Sequence, residues 1–122
     1  MVDKATISVI VCAYTERRWD CLRAALESVR AQDVQPIETI VVVDHNPALE
    51  MLVSAAYPNI KAVPNEGHRG LSAARNTGVH CAQGALVAFL DDDAVAERDW
   101  LARMLLPSRL EPCSWFSLRI TL

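Results

Sequence analysis

Short apolar segments alternate with amphipathic helical segments along most of this chain, and this alternation restricts its possible folds more than any other feature. The segment Thr6–Cys12 is a nearly continuous apolar run, as expected of a strand buried on both faces. Apolar residues then recur at helical spacing over roughly Trp19–Ala31. Strands and helices that alternate in this way predict an α/β fold with a parallel sheet and right-handed crossovers.

The same alternation continues to about residue 106. Asn46 is placed to cap a second helix, with Pro47 in its first turn, and Ser72 is placed to cap a third. The complete prediction is an open, Rossmann-like sheet of four parallel strands. Its remaining strands are predicted at Glu38–Val43, Ile60–Val63 and Leu86–Leu90, and its remaining helices at Pro47–Ala56, Ser72–Ala82 and Glu97–Leu106.

Composition limits the class of protein. The 122 residues, 52% of them hydrophobic and 22% charged, are enough for one globular core. A net charge of −3 gives no general attraction to nucleic acid or to an anionic membrane, so phosphate recognition has to be local. The four cysteines lack metal-ligand spacing, and neither a membrane span nor a signal peptide is evident. We expect a cytoplasmic protein, with peripheral binding to the inner membrane face as an alternative.

Three consecutive aspartates, Asp91, Asp92 and Asp93, follow the apolar strand Leu86–Leu90. In strand geometry Asp91 and Asp93 would point the same way, roughly 7 Å apart, while Asp92 would point away and be solvated or cap a helix. Two carboxylates on one side raise each other's pKa unless a cation lies beside them, and a hard divalent ion would satisfy both. The alternative is a solvated acidic turn.

Polar residues follow all four predicted strands. They are residues 14–16, Asp44, Asn65 and the aspartate triplet, and the carboxyl ends of parallel strands form one edge where ligands bind. Neither GxGxxG nor GxxxxGK[ST] is present, which argues against dinucleotide-binding and P-loop proteins. Arg75, beside a glycine-bearing loop, could donate to a phosphate or a base carbonyl, or could be a solvated helix residue.

In order and spacing, four segments of the chain resemble the successive motifs of family 2 glycosyltransferases. These segments are ISVIVCAY (7–14), IVVVD (40–44), GLSAARNTG (70–78) and GALVAFLDDD (84–93). The resemblance covers about residues 6–106. It implies a glycosyltransferase A-type fold, a nucleotide-diphosphate sugar donor, and inversion at the anomeric carbon.

The resemblance also implies where the nucleotide would bind. Asp44 would hydrogen-bond the base, and Ala13 and Tyr14 would flank the base and ribose. Many family members have asparagine after the tyrosine and a second acid after the strand-two aspartate, whereas this chain has Thr15 and His45. We interpret His45 as a structural loop residue, with a ligand contact as the alternative.

For the phosphate side, the resemblance implies that Arg75 and Asn76 contact the nucleotide or diphosphate. Asp91 and Asp93 would form the DxD pair, with Asp91 towards the ribose and metal and Asp93 as the principal ligand of Mg²⁺ or Mn²⁺. Such an ion would stabilise the negative charge that develops on the leaving diphosphate.

The family's catalytic base comes from a later segment than the matched motifs. We expect residues 1–107 to be the donor-binding part of a truncated glycosyltransferase domain, and 108–122, where Glu111 is the one acid, to be an atypical tail. A continuous family-like reading frame in the DNA after codon 107 would identify this tail as a frameshift product. The outer edge of the fourth strand would then be open to self-association, unless Trp115–Leu122 covers it as a strand. One alternative function is a non-catalytic nucleotide-sugar-binding or interaction module, and another is a metal-dependent phosphotransfer or nucleotidyl enzyme that uses the same Asp pair.

Overall fold

The computed structural model describes residues 6–65 and 67–105, together with the backbone of residues 120–121. The predicted α/β fold with four parallel strands is confirmed. The strands are β1 (Ile7–Ala13), β2 (Glu38–Asp44), β3 (Lys61–Asn65), β4 (Leu86–Asp91) and β5 (Ile120–Thr121). The helices are α1 (Trp19–Arg30), α2 (Pro47–Ala56), α3 (Leu71–Cys81) and α4 (Trp100–Leu105). No helix in this part of the chain is long and apolar enough to cross a lipid bilayer.

The sheet has the strand order β3-β2-β1-β4-β5, so that β1 is central. Strands β1 to β4 run parallel, while β5 pairs antiparallel with the start of β4, at Leu86 and Val87. A strand was predicted over Trp115–Leu122, and Ile120–Thr121 is the part of it that the structure describes. Self-association through the rest of the β4 edge stays a prediction.

Both faces of the sheet are covered, as the continuous apolar strands predict. Val9 and Val11 of β1 contribute to the larger core, which also contains buried side chains of α1, α2 and α4. Ile10 points to the opposite face and belongs to a smaller core with Ala74 of α3. Helix α3 therefore lies on one face of the sheet. Its first turn lies beside the carboxyl ends of the strands.

Gly78 sets how closely α3 approaches the sheet. A Cβ atom at this position would lie 2.7 Å from Cγ2 and 2.9 Å from Cδ1 of Ile10. Such distances are shorter than packed side chains tolerate, so the helix can take this position only with glycine there. Because Arg75 lies one turn earlier on the same helix, this close packing also sets the distance of its backbone from the sheet.

The predicted N-cap residue is correct for α2 and wrong for α3. Asn46 caps α2 as predicted, since its side chain accepts a hydrogen bond from the Leu49 N–H at 3.1 Å. Helix α3 begins at Leu71, so the predicted cap at Ser72 is wrong. The cap residue is Gly70, whose φ of 126° is one that side-chain-bearing residues rarely adopt.

Helix α4 is shorter than predicted, since it starts at Trp100 and not at Glu97. The side chain of Gln32, two residues after α1, explains the difference. Its amide oxygen accepts from the Leu101 N–H at 3.0 Å, and its amide nitrogen donates to the Glu97 carbonyl at 2.6 Å. A buried side chain from a distant segment thus caps α4, and it holds the residues before the helix in a turn.

Candidate functional site

The carboxyl ends of β1, β2 and β4, with the first turn of α3, surround a cavity of about 470 Å³. This volume lies within the range of small-molecule sites. Six of the seven predicted site residues line it, while Asn76 lies exposed on α3 and is not among the lining residues. The lining residues are Ile10, Cys12, Ala13, Tyr14, Arg18, Asp44, Gly70, Leu71, Ala74, Arg75, Phe89, Leu90, Asp91, Asp92 and Asp93.

Asp44 ends β2 at the cavity wall, and both of its carboxylate oxygens are engaged. Oδ1 accepts a hydrogen bond from Nδ2 of Asn65 at 2.8 Å, and Oδ2 accepts from the Gly70 N–H at 3.0 Å. These bonds tie the end of β2 to the residue that starts α3. Each carboxylate oxygen can accept a further hydrogen bond, so Asp44 retains the capacity to bind a ligand N–H or O–H.

Asn65 joins three segments behind the cavity and is almost completely buried. Its Nδ2 donates to Asp44 and, at 2.9 Å, to the carbonyl of His68. Its Oδ1 accepts from the Gly67 N–H at 3.2 Å and from Oγ1 of Thr77 at 3.0 Å. A buried amide with all of these bonds made holds the glycine-bearing loop in one arrangement against β2 and α3.

His45 has a φ of 53°, in the left-handed region that non-glycine residues seldom adopt. Its Nε2 lies 2.9 Å from the carbonyl oxygen of Gly67, so this nitrogen carries a hydrogen that it donates. The contact links the end of β2 to the glycine-bearing loop. It favours the structural interpretation of His45 over a ligand contact, since the residue is not among those that line the cavity.

The three aspartates occupy different environments. The side chains of Asp91 and Asp93 are 63% and 57% exposed, whereas Asp92 is buried and its Oδ1 accepts a hydrogen bond from Nη1 of Arg18 at 3.1 Å. The expectation that Asp92 is solvated or caps a helix is wrong. Burial raises the pKa of Asp92, and the neighbouring guanidinium of Arg18 counteracts part of that increase.

Two arginines flank the triplet in similar ways. The Arg75 guanidinium lies 5.3 Å from the ring centre of Phe89, and its Nη2 is 3.9 Å from Oδ1 of Asp91. The Arg18 guanidinium lies 5.5 Å from the ring centre of Tyr14, and its Nη1 is 3.9 Å from Oδ2 of Asp93. Each arginine thus rests against an aromatic ring and approaches one of the exposed carboxylates.

The cavity has an excess of negative charge. Asp44 and the triplet supply four carboxylates, while the arginines supply two positive charges. Burial raises the pKa of the Cys12 thiol to about 11, so this wall residue adds no charge at neutral pH. In the described part of the chain, no group of three or more His, Cys, Asp or Glu residues is arranged to hold a metal ion. A metal ion here would need further ligands from its substrate and from water.

The family profile described as glycosyl transferase family 2 matches residues 8–116 of this chain. The chain belongs to glycosyl transferase family 2. This finding confirms the resemblance inferred from the four sequence motifs. It also places Asp44, Arg75 and the aspartate triplet within the matched region.

This family 2 glycosyltransferase chain is similar to a curated enzyme and to two solved structures that contain nucleotide sugars. A glucosyl-dolichyl phosphate glucuronosyltransferase of Haloferax volcanii is 36% identical over 102 residues, covering 81% of this chain and 33% of that protein. The structure of S. aureus TarS 1–349 in complex with UDP-GlcNAc is 26% identical with a TM-score of 0.69, covering 81% of this chain and 30% of that chain. The mannosyltransferase PcManGT from Pyrobaculum calidifontis, in complex with GDP-Man and Mn²⁺, is 26% identical with a TM-score of 0.63, covering 83% and 33% respectively.

This family 2 glycosyltransferase chain therefore spans about a third of the length of these relatives. Its glycosyltransferase A-type fold is confirmed by the two structural neighbours. The residues that the family profile matches, 8–116, include every described residue that lines the cavity.

Sequence reasoning did not identify two residues that shape the cavity of this glycosyltransferase chain. Arg18 lies in the 3₁₀ turn Glu16–Arg18, which begins where Oγ1 of Thr15 accepts from the Arg17 N–H at 3.2 Å. Asn65 was noted as a strand end but not as a hydrogen-bonding centre. Threonine is a common N-cap residue, so Thr15 could have indicated that a helical turn begins at Glu16. No local pattern indicates that Arg18 meets Asp92, because 74 positions separate them.

Proposed function

We propose that this chain binds a nucleoside-diphosphate sugar together with a divalent metal ion, as the donor-binding part of an inverting family 2 glycosyltransferase. One observation carries the proposal: a single cavity brings together Asp44, Arg75 and the exposed carboxylates of Asp91 and Asp93. Two structural neighbours with the same fold contain UDP-GlcNAc, or GDP-Man with Mn²⁺, which supports the same class of ligand here.

The residues present fit Mg²⁺ or Mn²⁺. The outer carboxylates, Asp91 and Asp93, are exposed and have ion-pair partners no closer than 3.9 Å, so their oxygens can serve as ligands. One or two carboxylates completed by phosphate oxygens and water are the usual magnesium arrangement, which agrees with the lack of a larger preformed cluster in the described residues. When bound, such an ion would stabilise negative charge on the leaving diphosphate.

The other cavity residues suit the nucleotide. Asp44 can accept a hydrogen bond from the base, Tyr14 presents an exposed ring beside Ala13, and the planar guanidinium of Arg75 can donate to a phosphate. The predicted contact of Asn76 with the nucleotide stays a prediction.

The proposal divides binding from catalysis. Beyond Asp93, the acidic residues that the structure describes are Glu97 and Asp99, which are exposed, lie near Arg103 and do not line the cavity. The family resemblance implies a catalytic base from a later segment than the matched motifs, and such a base typically contributes about 10²- to 10⁴-fold. A non-catalytic nucleotide-sugar-binding or interaction module, which would use the same cavity, is the second candidate function.

Calorimetric titration with UDP, GDP and their sugars, with and without Mn²⁺, tests the proposal. We expect at least one nucleotide to bind in a metal-dependent manner, and Asp93→Asn to weaken that binding about tenfold or more, the equivalent of about 1.4 kcal/mol. Asp99→Asn is the matched control, since it makes the same change at an exposed aspartate away from the cavity and should leave affinity unchanged.

Absence of binding by any nucleotide, with or without metal, would refute both candidate functions. If binding is found, release of free sugar from the donor, or its transfer to an added acceptor, distinguishes an enzyme from a binding module.

A further inference from the structure

Arg18 is held firmly at one end and is free to bind at the other. Its Nη1 donates to the buried carboxylate of Asp92 at 3.1 Å, and its guanidinium rests against the ring of Tyr14. A charge-assisted hydrogen bond to a buried partner fixes the position of the guanidinium on the cavity wall. The side chain is nevertheless 43% exposed.

The guanidinium has more donors than its described partners use. The arginine side chain carries five N–H donors, and among the described residues the hydrogen bond of the Arg18 guanidinium is that of Nη1 to Asp92. The 3.9 Å approach of Nη1 to Asp93 is too long for a hydrogen bond. Donors of a fixed guanidinium that lines a cavity suit a ligand with several anionic oxygens.

Arg18 and Arg75 come from different elements of the fold and approach different aspartates of the triplet. Arg18 is on the turn after β1 and approaches Asp93, whereas Arg75 is on α3 and approaches Asp91. A diphosphate has two phosphate groups, and two separated guanidinium groups can each bind one of them in a bidentate manner.

We propose that Arg18 is a second phosphate-binding residue, which binds one phosphate group of the donor diphosphate while Asp92 holds its guanidinium in position. This assignment rests on the proposed function, because it uses the same cavity and the same ligand. It gives Asp92 the role of a positioning residue, separate from the metal-binding role proposed for its two neighbours in the chain.

The test compares Arg18→Gln with Arg17→Gln in the full chain, titrated with UDP, GDP and the corresponding nucleosides in excess Mn²⁺. Arg17 carries the same charge in the same 3₁₀ turn but does not line the cavity. We expect Arg18→Gln to weaken diphosphate binding about 10- to 100-fold, the range for a charge-assisted hydrogen bond. Nucleoside affinity should not change, and Arg17→Gln should behave like the unmodified chain.

A double variant, Arg18→Gln with Asp92→Asn, separates the guanidinium from its structural effect. Loss of Arg18 alone leaves a buried carboxylate without its partner, whereas the double variant leaves a neutral pair that should fold normally. We expect it to bind the diphosphate as weakly as the single variant, and Arg18→Lys to recover part of the affinity.

Recovery of full diphosphate affinity in the double variant, or equal affinities of Arg18→Gln and Arg17→Gln, would overturn the assignment while leaving the proposed function in place. Failure of the unmodified chain to bind any nucleotide would instead overturn the proposed function, and this assignment with it.

Discussion

Replacing Asn65 by aspartate changes the centre of the hydrogen-bond network behind the cavity without changing its shape. The side-chain nitrogen that donates to Asp44 at 2.8 Å and to the carbonyl of His68 at 2.9 Å becomes an oxygen. The oxygen that accepts from Gly67 and Thr77 is retained. The substitution therefore places a second carboxylate against Asp44 and leaves half of the network intact.

The loss of folding stability depends on whether the new carboxyl group is ionised or protonated in the folded state, and the state of lower free energy determines it. At an effective dielectric constant of about 20, two ionised oxygens 2.8 Å apart would repel by about 6 kcal/mol. Protonating the new carboxyl at pH 7, from an ordinary pKa of about 3.9, costs about 4 kcal/mol and restores one donated hydrogen bond. Protonation is the cheaper solution. With one hydrogen bond of about 1 kcal/mol still missing, we expect a loss of about 5 kcal/mol at pH 7.

The loss should depend on pH with a defined sign. The folded state raises the pKa of the introduced acid above its unfolded value, so the folded state binds the proton more tightly and relative stability falls as pH rises. We expect the loss to shrink by about 1.4 kcal/mol per pH unit, to about 2–3 kcal/mol at pH 5. Urea unfolding followed by tryptophan fluorescence at both pH values measures it.

Asn76→Asp is the matched control, because it makes the same chemical change at an exposed position of α3. Its unfolding free energy should stay within about 0.5 kcal/mol of the unmodified chain. A loss below about 1 kcal/mol for Asn65→Asp at pH 7, or an equal loss at pH 5, would refute the assigned role of Asn65.

Two further predictions concern the scaffold. Gly78→Ala should lower the free energy of unfolding by about 1–2 kcal/mol, since overpacking against Ile10 outweighs a gain of about 1 kcal/mol in helix propensity, and an unchanged thermal midpoint would contradict this. Glu38 is mostly buried, which raises its pKa, but hydrogen bonds from Lys61, Ser8 and the Gln83 N–H outweigh burial and hold the pKa below its ordinary 4.5. The stability that its carboxylate contributes is therefore lost as pH falls below about 4.5, and Glu38→Gln should show a flatter acid unfolding curve.

Local patterns were sufficient for the framework of the fold. The apolar run ending at Cys12 predicts a central strand, and β1 does lie between β2 and β4. Helical spacing after Trp19 and the Asn46 cap likewise place α1 and α2 correctly, because these signals depend on residues that are close together in the sequence. The gathering of polar residues at one sheet edge follows from topology alone.

Contacts between distant segments could not be predicted from those patterns. The start of α4 depends on Gln32, which lies 69 positions from the N–H that it caps. The burial of Asp92 goes together with its ion pair to Arg18, a partner 74 positions away that no local pattern indicates. The position of α3 depends on a glycine whose importance appears only when Ile10 is placed opposite it. Each of these features depends on a contact between residues that are far apart in the sequence, which local sequence patterns do not reveal.

Within the part of the chain that the structure describes, the residues that line the cavity all fall between Ile10 and Asp93. The segments that contribute to it succeed one another without long excursions, because each parallel strand returns to the same edge. In the corresponding gene, a single crossover placed after the codon for Asp93 would therefore move these lining residues as a unit. Related genes could exchange this stretch by recombination and combine an inherited pocket with a different downstream sequence.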